Sequence, residues 1–188
     1  MEPMKDAARD TSIGTQLMHR RRMGGLSLEL SDWQTPRSIV PSYAVKHPVD
    51  ELGPLSKIMK RVKQTPFSFT SREPEATEAA FGEFVYVFEV RLDKGVRTYW
   101  LGYKYRAFEK VRPAGGSLWD GKFKYKNSAK WGEPATGSYF DEPVQVEDPA
   151  VCEWLAVKQP GMAEIPPELL AAVDAQIANP ANQARAFA

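Results

Sequence analysis

The chain has 188 residues, of which 43% are hydrophobic and 11% aromatic, and its net charge is +1. This length suffices for one sizeable core and argues against two large domains. No apolar run approaches the roughly 20 residues of a bilayer-spanning helix, and no basic-then-apolar leader opens the sequence, so we expect a soluble, unprocessed protein without a membrane partner.

The charge is distributed unevenly along the chain. Residues 1–72 carry 12 basic and 7 acidic side chains, residues 73–135 carry 11 and 9, and residues 136–188 carry 2 and 8. Such asymmetry indicates a polyanion-binding end, or two ends that attract each other within one molecule or between copies. A surface that is unevenly charged but merely solvated is the alternative interpretation.

Residues 1–48 are predicted to form an extended or disordered, basic arm. The first 25 residues are polar and contain glycines, so they cannot bury enough surface to fold alone. Within them, Arg20, Arg21 and Arg22 follow one another on a flexible backbone, which suits contacts with phosphates. A disordered, solvating tail is the alternative.

Prolines punctuate the stretch that follows and disfavour helix there: Pro36, Pro41, Pro48 and Pro54. An irregular segment of this length is unusual inside a compact domain. It therefore either wraps the surface of its own domain or reaches another subunit. We expect a protein partner, or self-association, through this arm.

Residues 49–180 are predicted to form a single α+β domain. Its first helix spans residues 54–63, with Lys57, Lys60 and Arg61 directed largely away from the apolar stripe. Such a basic face either binds a polyanion or is simply solvated. A short strand at residues 67–70 and a short helix at residues 74–81 follow.

A long β-hairpin over residues 83–111 forms the centre of the predicted domain. Two runs rich in β-branched and aromatic residues flank Asp93-Lys94-Gly95, a turn signal. The two-residue period places one set of side chains on a face that must be buried: Phe84, Tyr86, Phe88, Val90 and Leu92. The loop has two or three residues, and this length decides whether the partner strand turns Trp100, or instead Tyr99, Leu101 and Tyr103, toward that face.

The remaining elements complete an antiparallel meander flanked by short helices, which makes α+β the predicted fold class. Asp120-Gly121 indicates a second hairpin. Residues 127–136 are predicted to form a loop, 137–146 a strand, and 149–157 and 167–178 helices, with Asp148 as the N-cap of the first helix. Residues 181–188 are expected to fray unless a neighbour binds them.

The sequence predicts no catalytic residue, no metal site and no cofactor. His19 and His47 lie in the arm, away from any metal-ligand or nucleophile-base spacing, and the paired glycines lack the context of a nucleotide loop. The single cysteine, Cys152, excludes an internal disulfide framework and is expected to be a small buried residue. An intracellular location, in the cytoplasm or in that of a host, follows from this reducing setting.

One short pattern resembles an enzyme family. Phe69-Thr70-Ser71 and Gln145-Val146-Glu147 resemble the serine-containing strand and the Gln-X-Glu element of ADP-ribosyltransferases. The resemblance implies that Glu147 assists transfer from NAD. The same residues are also explained as an alternating polar face on an edge strand.

Aromatic and basic residues interleave after the hairpin turn. On a β-surface this pattern presents flat rings for base stacking beside cations for phosphates, as in proteins that bind single strands. The alternative is a sheet with its aromatics inside and its lysines in water. The predicted nucleic-acid-binding residues are Arg20, Arg21, Arg22, Lys57, Lys60, Arg61, Trp100, Tyr103, Lys104, Trp119, Lys122, Lys124 and Lys126.

The sequence thus predicts a non-enzymatic nucleic-acid-binding accessory protein that prefers single strands. The alternative function is that of an assembly or inhibitor protein, of the viral structural or mobile-element type, which acts through protein contacts. Its warrant is the proline-punctuated arm together with the loosely held last residues, because both would gain order on a neighbour.

Overall fold

The structure, a computed structural model, describes residues 40–57, 65–70, 74–111, 125–157 and 161–187. The predicted arm up to residue 39 and the predicted Asp120-Gly121 hairpin lie outside these residues. So does most of the predicted helix 54–63, of which residues 54–57 are described and 55–57 are helical.

The described residues combine nine strands with four short helices, and the α+β fold class is confirmed. In chain order the strands are β1 (Ser42–Pro48), β2 (Phe67–Thr70), β3 (Phe84–Asp93), β4 (Val96–Arg106), β5 (Glu109–Val111), β6 (Tyr125–Ser128), β7 (Gly137–Gln145), β8 (Ala163–Glu164) and β9 (Arg185–Ala186). The helices are α1 (Val49–Leu52), α2 (Pro74–Ala79), α3 (Pro149–Ala156) and α4 (Pro167–Ala178). Six strands form one sheet in the order β8-β1-β3-β4-β7-β9, and three form a smaller sheet in the order β2-β6-β5.

The predicted hairpin is confirmed as β3 and β4, and its loop has two residues. Asp93 pairs with Val96, so only Lys94 and Gly95 lie between the strands. Both have positive φ angles, of 47° and 83°. Two consecutive residues of this kind give the turn whose twist matches that of the flanking strands.

A bulge then changes the register in the middle of the hairpin. Val87 pairs with Tyr103, whereas Phe88 pairs with Leu101, so Gly102 is the extra residue of β4. A Cβ atom at Gly102 would lie 2.4 Å from Cδ1 of the buried Leu55, so any larger residue at this position would force the Leu55 side chain to shift.

Because of this bulge, neither of the two expected registers holds along the whole of β4. Tyr99 and Leu101 share the face of Phe88, whereas Tyr103 and Tyr105 pack on the opposite face. An extra residue moves every later side chain to the other side of the sheet.

Both faces of β3 are buried. The expected burial of this face is confirmed at Tyr86 and Phe88, which are at most 1% exposed and pack in one cluster with residues of α3 and α4, but it is wrong at Leu92, which is 53% exposed near the hairpin tip. The other face is also covered, with Val85 and Val87 in a second cluster. A nearly continuous apolar run is typical of a strand that is covered on both sides.

The last part of the predicted arm, Ser42–Pro48, is β1, a strand of the larger sheet that runs parallel to β3. Ser42 to Val45 are buried there. A parallel pair joins residues that are distant in sequence, so local patterns did not reveal it.

The short elements follow the sequence closely. β2, α2 and β7 lie where a strand, a helix and a strand were predicted, and α4 has the predicted bounds. Asp148 caps α3 as predicted, because its side chain accepts hydrogen bonds from the backbone amides of Ala150 and Val151, at 2.9 and 3.0 Å.

The predicted loop 127–136 is wrong at its start. Asn127 and Ser128 belong to β6, the central strand of the smaller sheet, which pairs with β2 on one side and β5 on the other. These two polar side chains are buried and hydrogen-bonded, so tertiary pairing overrides their local preference for turns.

Candidate contact surface around strand β5

Eight of the thirteen predicted nucleic-acid-binding residues lie outside the part of the chain that the structure describes: Arg20, Arg21, Arg22, Lys60, Arg61, Trp119, Lys122 and Lys124. The other five are described and do not form one surface. Lys57 is exposed at the end of residues 40–57. The remaining four are on β4 or β6.

The two aromatic residues of β4 that were predicted to stack on bases, Tyr103 and Trp100, differ in solvent exposure. Tyr103 is 5% exposed, and its hydroxyl donates to the backbone carbonyl of Phe67 at 2.5 Å, so its ring belongs to the core. Burial raises the pKa of this phenol. Trp100 is half-buried, and the guanidinium of Arg91 lies 3.9 Å from the centre of its ring. A cation therefore already occupies one face of the indole.

Lys104 is held inside the molecule. Its Nζ donates to Oδ1 of Asp174 on α4 at 2.8 Å and lies 4.6 Å from the centre of the Phe84 ring. The hydroxyl of Tyr86 donates to the same carboxylate oxygen at 2.7 Å. The charge of Lys104 is thus compensated by an acid.

Lys126 lies on the smaller sheet, beside an aromatic pair. Its Nζ is 4.5 Å from the centre of the Phe67 ring, and the rings of Phe67 and Phe69 are 4.8 Å apart. Burial lowers the pKa of Lys126, and the negative charge of Glu109 opposes that shift. This lysine is the one described member of the predicted set that sits with aromatics on the smaller sheet.

Large aromatic side chains are exposed around β5, an edge strand of the smaller sheet. Trp131, Phe81 and Phe108 are 74%, 46% and 40% exposed. Nζ of Lys110 lies 4.9 Å from the Phe81 ring, and the Arg106 guanidinium lies 5.3 Å from the Phe108 ring.

The backbone amide of Trp131 donates to Oε1 of Glu109 at 3.1 Å, which fixes the turn after β6 against β5. We call these exposed residues the β5 surface: Phe81, Arg106, Phe108, Lys110 and Trp131. None of these five residues belongs to the predicted nucleic-acid-binding set. Four of them do belong to the run of interleaved aromatics and bases after the hairpin turn, whereas Phe81 precedes the hairpin.

The lysines in and around this surface are accompanied by acids. Lys110 lies 3.9 Å from Glu78, and Lys130 forms an ion pair with Glu133. The described residues as a whole contain 11 Lys and Arg against 17 Asp and Glu, so the rest of the chain contains 14 against 7. The excess of positive charge therefore lies outside the described residues.

A buried acid and a histidine meet on the larger sheet. Glu89 is fully buried and accepts hydrogen bonds from the backbone amide of Leu55 at 2.6 Å and from Nε of Arg91 at 2.5 Å. His47 is its neighbour in register on β1, with Nε2 2.8 Å from the carbonyl oxygen of Gly53. Burial lowers the pKa of His47, and the hydrogen bond to Gly53 and the charge of Glu89 oppose that shift.

The sequence did not reveal this pair because His47 and Glu89 meet only through the parallel pairing of β1 with β3. Both side chains are engaged by the segment that follows α1, and both anchor that segment on the sheet.

The two short elements that resemble ADP-ribosyltransferases lie in different sheets. Thr70 belongs to β2 of the smaller sheet, and Gln145 ends β7 of the larger one, with Glu147 exposed beyond it. Ser71 lies outside the described residues. In the described part of the chain, no three His, Cys, Asp or Glu side chains gather in a group that could hold a metal ion.

The contacts of Cys152, on α3, favour a structural role for its side chain. Its thiol donates to the backbone carbonyl of Val146 at 3.2 Å, and burial, together with the charge of Asp148, raises its pKa. A raised thiol pKa disfavours the nucleophilic thiolate.

None of the helices in the described ranges is long and apolar enough to cross a bilayer. Comparison with known proteins assigns no family, since no protein-family model and no curated protein matches the chain.

Proposed function

We propose that this protein is a non-enzymatic binding protein that acts by contact with another protein through the β5 surface. The observation that carries the proposal is the gathering of three exposed aromatic side chains around one short edge strand whose neighbouring lysines have acidic partners. Aromatic residues and arginine are enriched in protein interfaces, whereas uncompensated charge is depleted from their centres.

The position of β5 supports the same proposal. Among the described residues, β5 pairs only with β6, so its other edge has no strand partner. An edge strand beside apolar side chains can accept an extended segment of a partner through backbone hydrogen bonds. The ion pairs that Lys110 and Lys130 form with acids would then lie at the rim of the contact.

The test is affinity purification from the native source with the full chain, followed by quantification of the retained proteins. Trp131→Ala combined with Phe108→Ala should lose the specific partner. The matched control is Leu92→Ala, which removes an exposed apolar side chain from the tip of the hairpin and should retain it. Equal retention of every protein by the double variant and the control would refute the β5 surface as the contact site.

A second candidate, binding of single-stranded nucleic acid, is favoured by a separate observation. Residues 58–64 and 112–124 contain six basic residues and one acid, and they adjoin strands of the smaller sheet in the sequence. Cations in these segments, together with Arg20, Arg21 and Arg22, would attract phosphates, and Phe67, Phe69 and Trp131 would offer rings for bases.

Titration of single-stranded DNA, single-stranded RNA and duplex DNA at two salt concentrations tests this candidate. A nucleic-acid-binding protein should prefer single strands and weaken at the higher salt concentration. Changing Arg20, Arg21 and Arg22 together to Ala should then weaken binding to every sequence and flatten its salt dependence. Without single-strand preference at low salt, where charges are least screened, this candidate fails.

A further inference from the structure

Strand β9 pairs with the outer edge of β7, and we call the part of β7 and its neighbours that receives β9 the seat. Ser138 and Tyr139 pair with Ala186 and Arg185. Among the described residues, these are the only strand pairs on that edge, because β7 is otherwise bonded to β4 alone. Without β9, the larger sheet would therefore end in an unpaired edge strand, which is a template for a strand of another chain.

Three kinds of contact define what the seat recognises. Nη2 of Arg185 lies 2.7 Å from Oδ2 of Asp141. The Phe187 ring packs against two tyrosines, 5.1 Å from the centre of Tyr139 and 6.4 Å, edge-on, from that of Tyr103. The backbone pairing supplies the third contact. The seat thus takes an extended segment with an arginine and a phenylalanine two residues apart.

The connection between α4 and this strand is short and largely exposed. Residues 179–181 and 183 are exposed, and Gln183 has a φ angle of 52°, which non-glycine residues seldom adopt. The Asn179 side chain caps the short 3-10 helix Pro180–Asn182 through the amide of Ala181. Apart from Ala184, which packs against the core, the connection is held mainly by local hydrogen bonds within residues 175–183, so it can act as a hinge.

We propose that Arg185–Phe187 is an exchangeable strand, and that the seat on β7 binds the same segment of a second copy of this chain. The second copy is the occupant because the segment that fits the seat is part of the chain itself, and the same contacts form between molecules when the hinge opens. In the wild type, the tethered segment has a high effective concentration and keeps most molecules closed. Exchange of an identical element is a low-cost route to dimers.

The test uses two full-length variants that each break the contact within one molecule. Arg185→Asp places two acids together, and Asp141→Arg places two arginines together. In a mixture, the arginine strand of one variant meets the acidic seat of the other, and the acidic strand meets the basic seat. We expect light scattering to show a heterodimer in the mixture at a level at least about tenfold above that of either variant alone.

The controls separate exchange from general charge attraction. The double variant Asp141→Arg with Arg185→Asp restores pairing within one molecule and should return to the wild-type level. A mixture of Lys130→Glu and Glu133→Lys swaps another exposed ion pair and should give no heterodimer. Adding Phe187→Ala to both partners of the first mixture should abolish the complex.

A labelled peptide of residues 179–188 gives an independent measurement that does not need the second variant. It should bind the Arg185→Asp chain, whose own strand is repelled from the seat, at least about tenfold more tightly than the wild type. Equal peptide binding to both chains, or a mixture that contains only the two monomers, would overturn the proposal.

Discussion

The two sheets of this protein differ in the side chains that they bury. The larger sheet encloses apolar residues such as Phe88 and Leu101, both fully buried. The smaller sheet buries polar residues, among them Ser68 and Asn127, and leaves aromatic residues such as Trp131 at the surface near its edge. The larger sheet therefore supplies most of the apolar core, whereas the smaller one is held by hydrogen bonds and exposes the aromatics available for contact.

Tyrosine hydroxyl groups of β4 link the two sheets, that of Tyr103 to Phe67 and that of Tyr105 to both β2 and β6. The Tyr105 side chain of β4 donates to the backbone carbonyl of Asn127 at 2.9 Å and lies 2.6 Å from Oγ of Ser68. Burial raises the pKa of this phenol well above its usual value. A buried hydroxyl in this position links β4 to both β2 and β6.

The largest expected effect is in the larger sheet. Phe88→Ala should lower the free energy of unfolding by about 3–5 kcal/mol, because the cavity lies between a rigid sheet and two helices. Urea denaturation measures this change. Leu92→Ala on the same face of β3 is the matched control, since Leu92 is 53% exposed, and should cost much less. Similar losses for the two variants would show that the core is misassigned.

A smaller loss of stability is expected when the Tyr105 hydroxyl, which links the two sheets, is removed. Tyr105→Phe should cost roughly 1–3 kcal/mol, because two buried polar groups lose their partner. Ser68→Ala combined with Tyr105→Phe should cost less than the sum of the two single changes, since both partners are then removed. Additive losses in denaturation experiments would contradict a direct Ser68–Tyr105 contact.

A pH-dependent change in stability is expected at His47, a polar residue that lies beside the buried Glu89 on the larger sheet. The pKa of His47 is lowered in the folded protein, chiefly by burial, from about 6.5 in the unfolded chain. The unfolded chain therefore binds the proton more readily, and the stability contributed by neutral His47 is present above about pH 6.5 and lost as the pH falls toward the lower folded pKa.

His47→Gln should flatten this dependence, since glutamine can still donate to the Gly53 carbonyl but does not titrate. Denaturation of both proteins between about pH 8 and pH 5 measures the difference in slope. Parallel pH profiles for the two proteins would remove His47 from the pH response.

The smallest effect on stability is expected at the β5 surface. Trp131→Ala should change the free energy of unfolding by no more than about 0.5 kcal/mol, because the side chain is largely exposed. The same change should weaken partner retention in the purification experiment. A large loss of stability would mean that Trp131 serves the fold rather than contact.

The sequence by itself determined the elements that rest on local signals. The Asp93-Lys94-Gly95 turn, the Asp148 cap and the apolar period of α4 depend on residues a few positions apart, so composition and spacing specify them. The face of β3 that carries Phe88 was predictable for the same reason, since alternation requires no knowledge of the partner strands.

The tertiary structure decided what depends on distant partners. The bulge at Gly102 places Tyr103 on the face opposite to Leu101, and Leu55, which is distant in sequence, packs against the backbone there. The parallel pairing that brings His47 beside Glu89 likewise joins separate parts of the chain. The interleaved aromatics and bases were visible in the sequence, but which of them are exposed was set by the helices and strands that cover the hairpin on both faces, because burial is a property of the assembled layers.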